Sequence, residues 1–367
     1  MKSLRVIIAG GGTGGHIFPA IAIGHALKAM NTENQLLFVG AKGKMEMTKV
    51  PLEGFEIIGL DIAGFNRSNL LKNISLSYKM LKSYFAARYI LKEFKPDVVV
   101  GVGGYASFPM LNAAQSKGIA TLIQEQNSYA GKSNKILAKN AKAVCVAYEN
   151  MERFFPEEKI IITGNPVRKS ISDNVISKEQ AMAWLGMNNA KTTLLVIGGS
   201  LGAKAINEAI DKHLEELLSW NVQLLWQTGT PYYETAKARA EKHEGKVKVL
   251  EFIREMDFAY AASDVVISRA GALSIAELCI VANPVVFVPY PFAAEDHQTS
   301  NAMALVNKNA ALMVSNDKVM DELLPKLKSL IDNIEMREMM KENLEALAIK
   351  DADKRIATKI FEIAEKN

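Results

Sequence analysis

Short apolar segments alternate with longer segments of helical pattern through the first half of the chain. The short segments are rich in β-branched residues and apolar at successive positions, which is typical of strands covered on both faces. Helical periodicity covers residues 19–30 and 70–94. This alternation predicts an α/β domain with a parallel sheet. The predicted strands are residues 5–9, 35–39, 97–102, 120–124, 143–147 and 159–163.

The same pattern restarts in the second half of the chain. A boundary is predicted near Asn165-Pro166, which a polar stretch at 168–177 follows. The last helical pattern, 336–365, has a polar break around 350–353, so its final part is expected to cross back to the first domain. The prediction is one domain of residues 1–165 with 351–367, and another of 166–350. The predicted strands of the second domain are residues 192–197, 223–227, 247–252, 265–268 and 284–288.

Both halves open with a strand, a glycine-rich turn and a helix. The first opening is RVIIAGGGTGGH and the second is TLLVIGGSLGAK. These openings predict two Rossmann-like domains with parallel sheets, facing each other across a cleft. A glycine-rich turn before a helix lets the backbone approach a phosphate group closely.

The first glycine loop matches the G-x-G-x-x-G pattern at Gly10, Gly12 and Gly15. An NAD site also needs an acidic residue at the end of the second strand, to hold the ribose hydroxyls. Here that strand ends in Gly40-Ala41-Lys42-Gly43, which contains no acid. A dehydrogenase is therefore disfavoured, and the complete P-loop pattern is absent as well.

Composition places the chain among ordinary folded proteins, with 49% hydrophobic and 23% charged residues. The net charge of +4 is unevenly distributed. Residues 1–165 carry 20 Lys or Arg and 12 Asp or Glu, whereas residues 166–367 carry 24 and 28. Within residues 65–95 a single acid, Glu93, accompanies a basic cluster, which suggests an anionic partner. The cluster consists of Arg67, Lys72, Lys79, Lys82, Arg88, Lys92 and Lys95.

The chain also lacks the marks of export and of membrane insertion. Cys145 and Cys279 lie in apolar runs and are interpreted as small buried hydrophobes. The N-terminus has too short an apolar stretch for a signal peptide, and no run reaches the length of a membrane span. We therefore expect a cytoplasmic protein whose contact with a membrane is peripheral.

Several motifs follow the predicted strands, at the edge where open α/β sheets bind ligands. They are GGYAS at 103–107, QEQN at 124–127, GNPVR at 164–168, SRAGALS at 268–274 with Glu277, and EDHQTSN at 295–301. With the two glycine loops, this ordered set resembles the peptidoglycan N-acetylglucosaminyltransferases, a family with the GT-B glycosyltransferase fold. The resemblance runs from Arg5 to the last helices.

The resemblance implies an inverting transfer of N-acetylglucosamine from UDP-N-acetylglucosamine to the C4 hydroxyl of the muramoyl sugar of lipid I. The product, lipid II, would form at the cytoplasmic face of the plasma membrane, and no metal or other cofactor is expected. The first domain would hold the acceptor and the second the donor. Expected partners are the two substrates, an anionic membrane surface and other cell-wall synthesis proteins. The alternatives are a GT-B transferase for another lipid, such as a diacylglycerol, and a non-catalytic nucleotide-sugar-binding or scaffold protein.

Donor contacts are implied position by position. Glu277 is expected to accept hydrogen bonds from both ribose hydroxyls. Arg168 is expected to pair with phosphate charge as uridine diphosphate leaves. Ser200 would donate to the diphosphate or serve only the turn, and Phe252 would frame the uracil or belong to the core. The family varies at His297, so its role stays open. The expected donor-binding residues are Arg168, Gly199, Ser200, Leu201, Gly202, Phe252, Ile253, Met256, Ala272, Leu273, Ser274, Glu277, His297, Gln298 and Asn301.

In the first domain, the reaction calls for a base beside the attacking hydroxyl. His16 is the leading candidate because histidine titrates in the useful range, although it could merely bind the acceptor or cap the loop. Glu125 is the competing base. Gly12, Gly104 and Tyr105 are expected to bind the acceptor. The residues expected at the donor or acceptor sugar are Thr13, Gly14, Gly15 and Asn127.

The basic segment combines positive charge with apolar residues. Such a helix suits an anionic membrane surface, and the alternative is a packed helix with solvated lysines. Nucleic acid is not expected as a partner, because the charge is confined to one segment without a binding motif. The residues expected at the membrane are Leu70, Lys72, Ile74, Lys79, Lys82 and Phe85.

Overall fold

The computed structural model describes residues 2–62, 76–173, 175–189, 191–199, 201–243 and 245–366. Its contacts divide the chain into two compact units, Met1–Arg168 with Lys350–Asn367 and Lys169–Ile349. These divisions lie three residues and one residue from the boundaries expected at 165/166 and 350/351.

The described part of the first unit contains one seven-stranded parallel sheet. Its strands are β1 (Arg5–Ala9), β2 (Gln35–Ala41), β3 (Glu56–Leu60), β4 (Val98–Gly101), β5 (Ala120–Glu125), β6 (Ala143–Val146) and β7 (Ile160–Ile162). Their order is β3-β2-β1-β4-β5-β6-β7. The direction of winding changes between β1 and β4, the position at which doubly wound sheets bind ligands.

The described part of the second unit contains a six-stranded parallel sheet. Its strands are β8 (Thr192–Ile197), β9 (Val222–Gln227), β10 (Val247–Leu250), β11 (Val265–Ser268), β12 (Val285–Phe287) and β13 (Leu312–Met313). Their order is β10-β9-β8-β11-β12-β13, so the winding changes between β8 and β11. The predicted class, two α/β domains with parallel sheets, is confirmed.

Helices connect the strands in both units. They are α1 (Gly14–Met30), α2 (Glu46–Leu52), α3 (Leu76–Phe94), α4 (Ser107–Ser116), α5 (Lys132–Ala138), α6 (Lys169–Ser172), α7 (Lys178–Leu185), α8 (Lys204–Lys212), α9 (Leu214–Ser219), α10 (Tyr233–Ala240), α11 (Met256–Ala261), α12 (Ala272–Val281), α13 (His297–Val306), α14 (Val319–Asp332), α15 (Ile334–Leu347) and α16 (Ala352–Glu365). Short 3-10 turns lie at Glu157–Lys159, Thr230–Tyr232, Glu241–His243 and Ala294–Asp296.

Both faces of the first sheet are buried, which explains why its strands are apolar at successive positions. In β1, Val6 and Ile8 belong to one core cluster, whereas Ile7 and Ala9 belong to the other. Successive side chains of a strand point to opposite faces, so each face needs its own apolar set. The cluster that contains Val6 is completed by α16, through Ile356, Ala357, Ile360, Phe361 and Ile363.

Some boundaries differ from the sequence prediction. The first helix was expected to begin at residue 19 but begins at Gly14, because the last glycines of the loop already have helical geometry. The strand expected at 247–252 ends at Leu250. Two sheet-edge strands, β3 and β13, were not predicted. β3 contains a glutamate and a glycine, and β13 has only two residues, so neither gives a continuous apolar run.

Candidate active site

Two glycine-rich loops meet at the carboxyl edge of the first sheet, where the winding changes. The loop after β1 donates from the Gly11 N–H to the Gly103 carbonyl, which follows β4, over 3.2 Å. A Cβ placed on Gly104 would lie 2.1 Å from the Gly11 carbonyl oxygen. Glycine is therefore required at residue 104 by the close approach of the two backbones. The predicted acceptor residues Gly12 and Gly104 are brought together here.

His16 lies in the first turn of α1, whereas the sequence prediction placed it at the end of the loop. Its ring is half-buried, and Nδ1 lies 3.2 Å from the Thr13 hydroxyl oxygen. The ring edge covers Gly103, where a Cβ would lie 2.9 Å from Nε2. Thr13, the N-cap of the helix, thus contacts the histidine side chain and does not cap the helix with its own side chain.

Tyr105 is placed at the same edge of the sheet. Its ring lies against the open side of Gly12, where an added Cβ would be 3.8 Å from two ring carbons. The side chain is partly exposed. Tyr105, Gly12 and His16, three of the residues expected at the acceptor, therefore surround one point of the loop pair.

Glu125 ends β5 and is 2% exposed. Its Oε1 accepts from the backbone N–H and the side-chain amide of Asn127, at 3.1 and 3.3 Å. Its Oε2 accepts from the Gly131 N–H and the Asn134 amide, at 3.1 and 2.8 Å. Four donors satisfy this buried carboxylate, which ties the residues after β5 to Asn134 in α5. The role of Glu125 as the competing base stays a prediction.

Arg168 belongs to the first unit, whereas the sequence prediction counted it with the second. Its guanidinium lies 5.9 Å from the ring centroid of Phe18 on α1, at the distance of a cation–π contact. Gly14, in the first turn of the same helix, also adjoins the Phe18 ring. The arginine is thereby held near the first glycine loop.

In the second unit, the loop after β8 packs against the loop after β9. Gly202 donates to the Gly199 carbonyl over 2.9 Å, and a Cβ on Gly202 would lie 1.8 Å from the Thr228 carbonyl oxygen. Gln227 donates from its side chain to the Gly199 carbonyl over 2.9 Å. Leu201, at the tip, is exposed. Ser200, the predicted diphosphate donor, lies outside the described residues.

Glu277 lies in α12, which begins at the carboxyl edge of the second sheet, after β11. Its carboxylate is 7% exposed, and Oε2 accepts from the Tyr260 hydroxyl over 3.1 Å. Three further predicted donor residues, Ala272, Leu273 and Ser274, form the first turn of the same helix. The backbone N–H groups of a first helical turn favour a negative charge.

The residues expected around the uracil follow β10. Phe252 is 54% exposed, which excludes the alternative that it belongs to the core. Ile253 is buried, and Met256 is the first residue of α11. These three residues lie on one connecting segment at the carboxyl edge of the sheet.

The last predicted donor segment begins α13. The His297 Nδ1 lies 2.7 Å from the Ala294 carbonyl oxygen, so this nitrogen carries the proton. The Gln298 Oε1 accepts from the Tyr290 N–H over 2.9 Å. This contact fixes the orientation of the amide, whose NH₂ group acts as a donor. Asn301 is fully buried and donates to the Ala270 carbonyl at 3.4 Å. Asn301 thus supports the turn before α12.

The segment expected at the membrane includes α3. Four of its exposed aromatic and apolar side chains share one face with Arg88 and Lys92. Lys79 and Lys82 both face Asp61, at 3.9 and 3.3 Å, which reduces their joint charge. Leu70, Lys72 and Ile74 lie outside the described residues. The four side chains on this face are Tyr78, Leu81, Phe85 and Tyr89.

Three residues that matter for the site escaped the sequence analysis. Asn134 holds Glu125, Tyr260 holds Glu277, and Glu46 contacts the first glycine loop. Glu46 and Tyr260 lie 34 and 17 residues from their partners along the chain, so local spacing gives no signal for either pair.

In the part of the chain that the structure describes, no cluster of histidine, cysteine and acidic residues could hold a metal ion. No helix within the described ranges has both the length and the apolar character needed to cross a bilayer. Burial raises the pKa of the Cys145 and Cys279 thiols to about 12, so both remain protonated at neutral pH.

Comparison with known families and proteins agrees with this geometry. Residues 6–146 match the glycosyltransferase family 28 N-terminal domain, and residues 193–356 match the family 28 C-terminal domain. The crystal structure of Acinetobacter baumannii MurG is similar with a TM-score of 0.78 and 30% identity, covering 98% of this chain and 99% of that one.

Full-length relatives carry a more specific name. A Cytophaga hutchinsonii protein is 51% identical over 362 residues, covering 99% of this chain and 97% of the relative. A Parabacteroides distasonis protein is 48% identical over the full length of both chains. Both are named UDP-N-acetylglucosamine–N-acetylmuramyl-(pentapeptide) pyrophosphoryl-undecaprenol N-acetylglucosamine transferase. The chain belongs to this transferase family, within glycosyltransferase family 28.

Proposed function

We propose that this chain transfers N-acetylglucosamine from UDP-N-acetylglucosamine to the C4 hydroxyl of the muramoyl sugar of lipid I, with inversion at the anomeric carbon. The observation that carries the proposal is the full-length likeness to transferases of that name. The polar side chains and helix starts at the carboxyl edges of both sheets support it.

The donor is proposed to bind at the carboxyl edge of the second sheet. Glu277 accepts the ribose hydroxyls, and the N–H groups at the start of α12 and in the loop after β8 meet the diphosphate. Phe252 and Ile253 frame the uracil, and the Gln298 amide donates to a sugar hydroxyl. The hydrogen bond from Tyr260 to Glu277 supports this assignment, because it fixes a buried carboxylate beside the helix start.

The base is proposed to be His16. When its Nδ1–H donates to the Thr13 hydroxyl oxygen, Nε2 keeps the lone pair that general-base catalysis needs. Nε2 takes the proton of the C4 hydroxyl while that oxygen attacks the anomeric carbon. The bond from the anomeric carbon to the phosphate oxygen breaks, and its electron pair leaves with uridine diphosphate. Arg168 neutralises phosphate charge.

No metal is proposed to take part in this reaction. The developing negative charge is instead met by Arg168 and by backbone N–H groups, which are fixed in place before the reaction begins. We expect full activity in the presence of a chelator, and a strict requirement for added Mg²⁺ or Mn²⁺ would contradict the proposal.

The enzyme is proposed to work at the cytoplasmic face of the membrane, bound through α3. Tyr78, Leu81, Phe85 and Tyr89 would contact the lipid, with Arg88 and Lys92 contributing positive charge. A basic residue near an anionic surface contributes about 1 kcal/mol of attraction, so a few suffice for reversible binding. Other cell-wall synthesis proteins would meet the enzyme there.

The function can be tested with purified protein, isotopically labelled UDP-N-acetylglucosamine and a soluble analogue of lipid I. We expect equal amounts of the disaccharide product and uridine diphosphate, and NMR should show a β linkage formed from the α-linked donor. A diacylglycerol offered in competition should not be glycosylated. Folded protein that binds uridine diphosphate but gives no product would refute the proposal, and transfer to diacylglycerol would establish the alternative acceptor.

A further inference from the structure

A buried carboxylate lies beneath the first glycine loop. Glu46, the first residue of α2, is 2% exposed. Its Oε2 accepts from the Gly12 N–H over 2.8 Å, and its Oε1 accepts from the Ala41 N–H over 2.9 Å. The Glu46 side chain therefore links the loop after β1 to the end of β2 by accepting hydrogen bonds from one backbone N–H group of each.

Two glycines leave the space that this carboxylate fills. A Cβ on Gly11 would lie 2.4 Å from the Glu46 Cδ, and a Cβ on Gly40 would lie 2.4 Å from its Cγ. Real Cβ atoms do not approach other carbon atoms so closely. Part of the glycine pattern after β1 and β2 therefore accommodates an internal side chain, although the pattern alone suggested a phosphate site.

The contact changes what the loop can offer a ligand. Backbone N–H groups at the end of the first strand of such a sheet commonly bind a phosphate. Here the Gly12 N–H already donates to a carboxylate and is not available to a phosphate. Gly14 and Gly15, in the first turn of α1, are the neighbouring groups whose N–H bonds point out of the helix start.

We propose that Glu46 is a positioning residue for the acceptor site. It fixes the Gly12 backbone, and with it Thr13 and the first turn of α1 that carries His16. It also places a negative charge where the loop would otherwise bind an anion, so the acceptor diphosphate is directed to the helix start. The expected effect on kcat rests on the proposed transferase function, whereas the ordering of the glycine loop by Glu46 does not.

Glu46→Gln is the first test, because glutamine has nearly the same shape. Its amide has one acceptor oxygen where the carboxylate has two, so its NH₂ must face either the Gly12 or the Ala41 N–H. We expect kcat to fall by about 10- to 100-fold, as for a small displacement of catalytic groups. The KM for UDP-N-acetylglucosamine and the Kd for uridine diphosphate should change by less than about twofold, because all the proposed donor residues except Arg168 lie in the other unit.

Hydrogen exchange gives a readout that does not depend on transferase activity. In Glu46→Gln, the peptide that covers residues 10–17 should exchange faster, and peptides of the second unit should not. The matched control is Glu53→Gln, at the other end of α2, where the carboxylate is half-exposed and faces His25. This control should leave kcat and the exchange of residues 10–17 unchanged.

Gly40→Ala provides a second perturbation that keeps the carboxylate, because its new methyl group would push Glu46 aside. It should reproduce the fall in kcat and the faster exchange. Unchanged exchange and kcat in folded Glu46→Gln would overturn the proposal. An inactive wild-type enzyme would count against the proposed function, while the exchange data would still test the role of Glu46.

Discussion

The hydrogen bond from Tyr260 to Glu277 should be measurable as donor affinity. Both side chains are buried, and the hydroxyl lies 3.1 Å from the carboxylate oxygen. Tyr260→Phe removes this donor and keeps the ring, so the packing around it should be preserved. Without the donor, the Glu277 carboxylate loses one of the contacts that hold it in position for the ribose.

The expected size of the effect follows from the nature of the contact. A hydrogen bond to a charged group contributes about 1.5–3 kcal/mol. Since bound ribose can partly replace the lost donor, we take the lower value of about 1.5 kcal/mol, which corresponds to a roughly tenfold rise in Kd. The kcat at saturating donor should fall much less, because Tyr260 acts through Glu277, which is proposed to hold the ribose and not the reacting atoms.

Calorimetric titration with uridine diphosphate, and with its dideoxyribose analogue, would measure this effect. Tyr260→Phe should weaken uridine diphosphate about tenfold and reduce its advantage over the analogue. The matched control is Tyr232→Phe, which removes a hydroxyl that donates to Asp211 over 2.9 Å elsewhere in the same unit. Wild-type affinity for uridine diphosphate in Tyr260→Phe, or an equal loss in both variants, would refute the reasoning.

Three further outcomes concern the first unit. His16→Ala should lower kcat by ~10²–10⁴-fold with little change in donor affinity, and a near-normal kcat would assign the base elsewhere. Phe85→Glu should weaken binding to anionic vesicles in a flotation assay, because this side chain is 59% exposed on α3. The control Ile334→Glu changes a similarly exposed side chain of the second unit and should not weaken vesicle binding. Asp61→Asn should strengthen vesicle binding, because the positive charge of Lys79 and Lys82 would no longer be offset by the carboxylate. Weaker binding would contradict this account.

The sheets could be predicted from the sequence because strands that are buried on both faces are apolar at successive positions. The run Arg5–Ala9 is apolar at four of its five positions, and its two faces pack into different core clusters. Edge strands are harder to predict. Within the described residues β3 stands at the edge of its sheet, and its composition is mixed. Strand positions therefore follow from composition mainly in the interior of a sheet.

Some residues of the candidate site could likewise be predicted from the sequence, and others could not. Residues in compact motifs, such as His16 and Glu277, could be proposed from the sequence because their chemistry and neighbours lie close together in it. The hydrogen bonds of Glu125 could not be predicted, because they depend on a loop that returns at Asn134. Glu46 gave no signal, since its donors are backbone groups. Contacts of this kind are set by the fold and not by residue type.

The position of α16 has a consequence for how the protein is made. Its buried side chains Ile356, Ile360 and Phe361 complete the core of the first unit, although they are synthesised after the whole second unit. Fully buried side chains of this size contribute about 1.5–3 kcal/mol each, so the first unit cannot reach its full stability until they arrive. On the ribosome, the second unit should therefore complete its fold before the first unit, whose synthesis began earlier. A nascent chain stalled before α16 would expose the apolar groove that this helix fills, where a chaperone could bind.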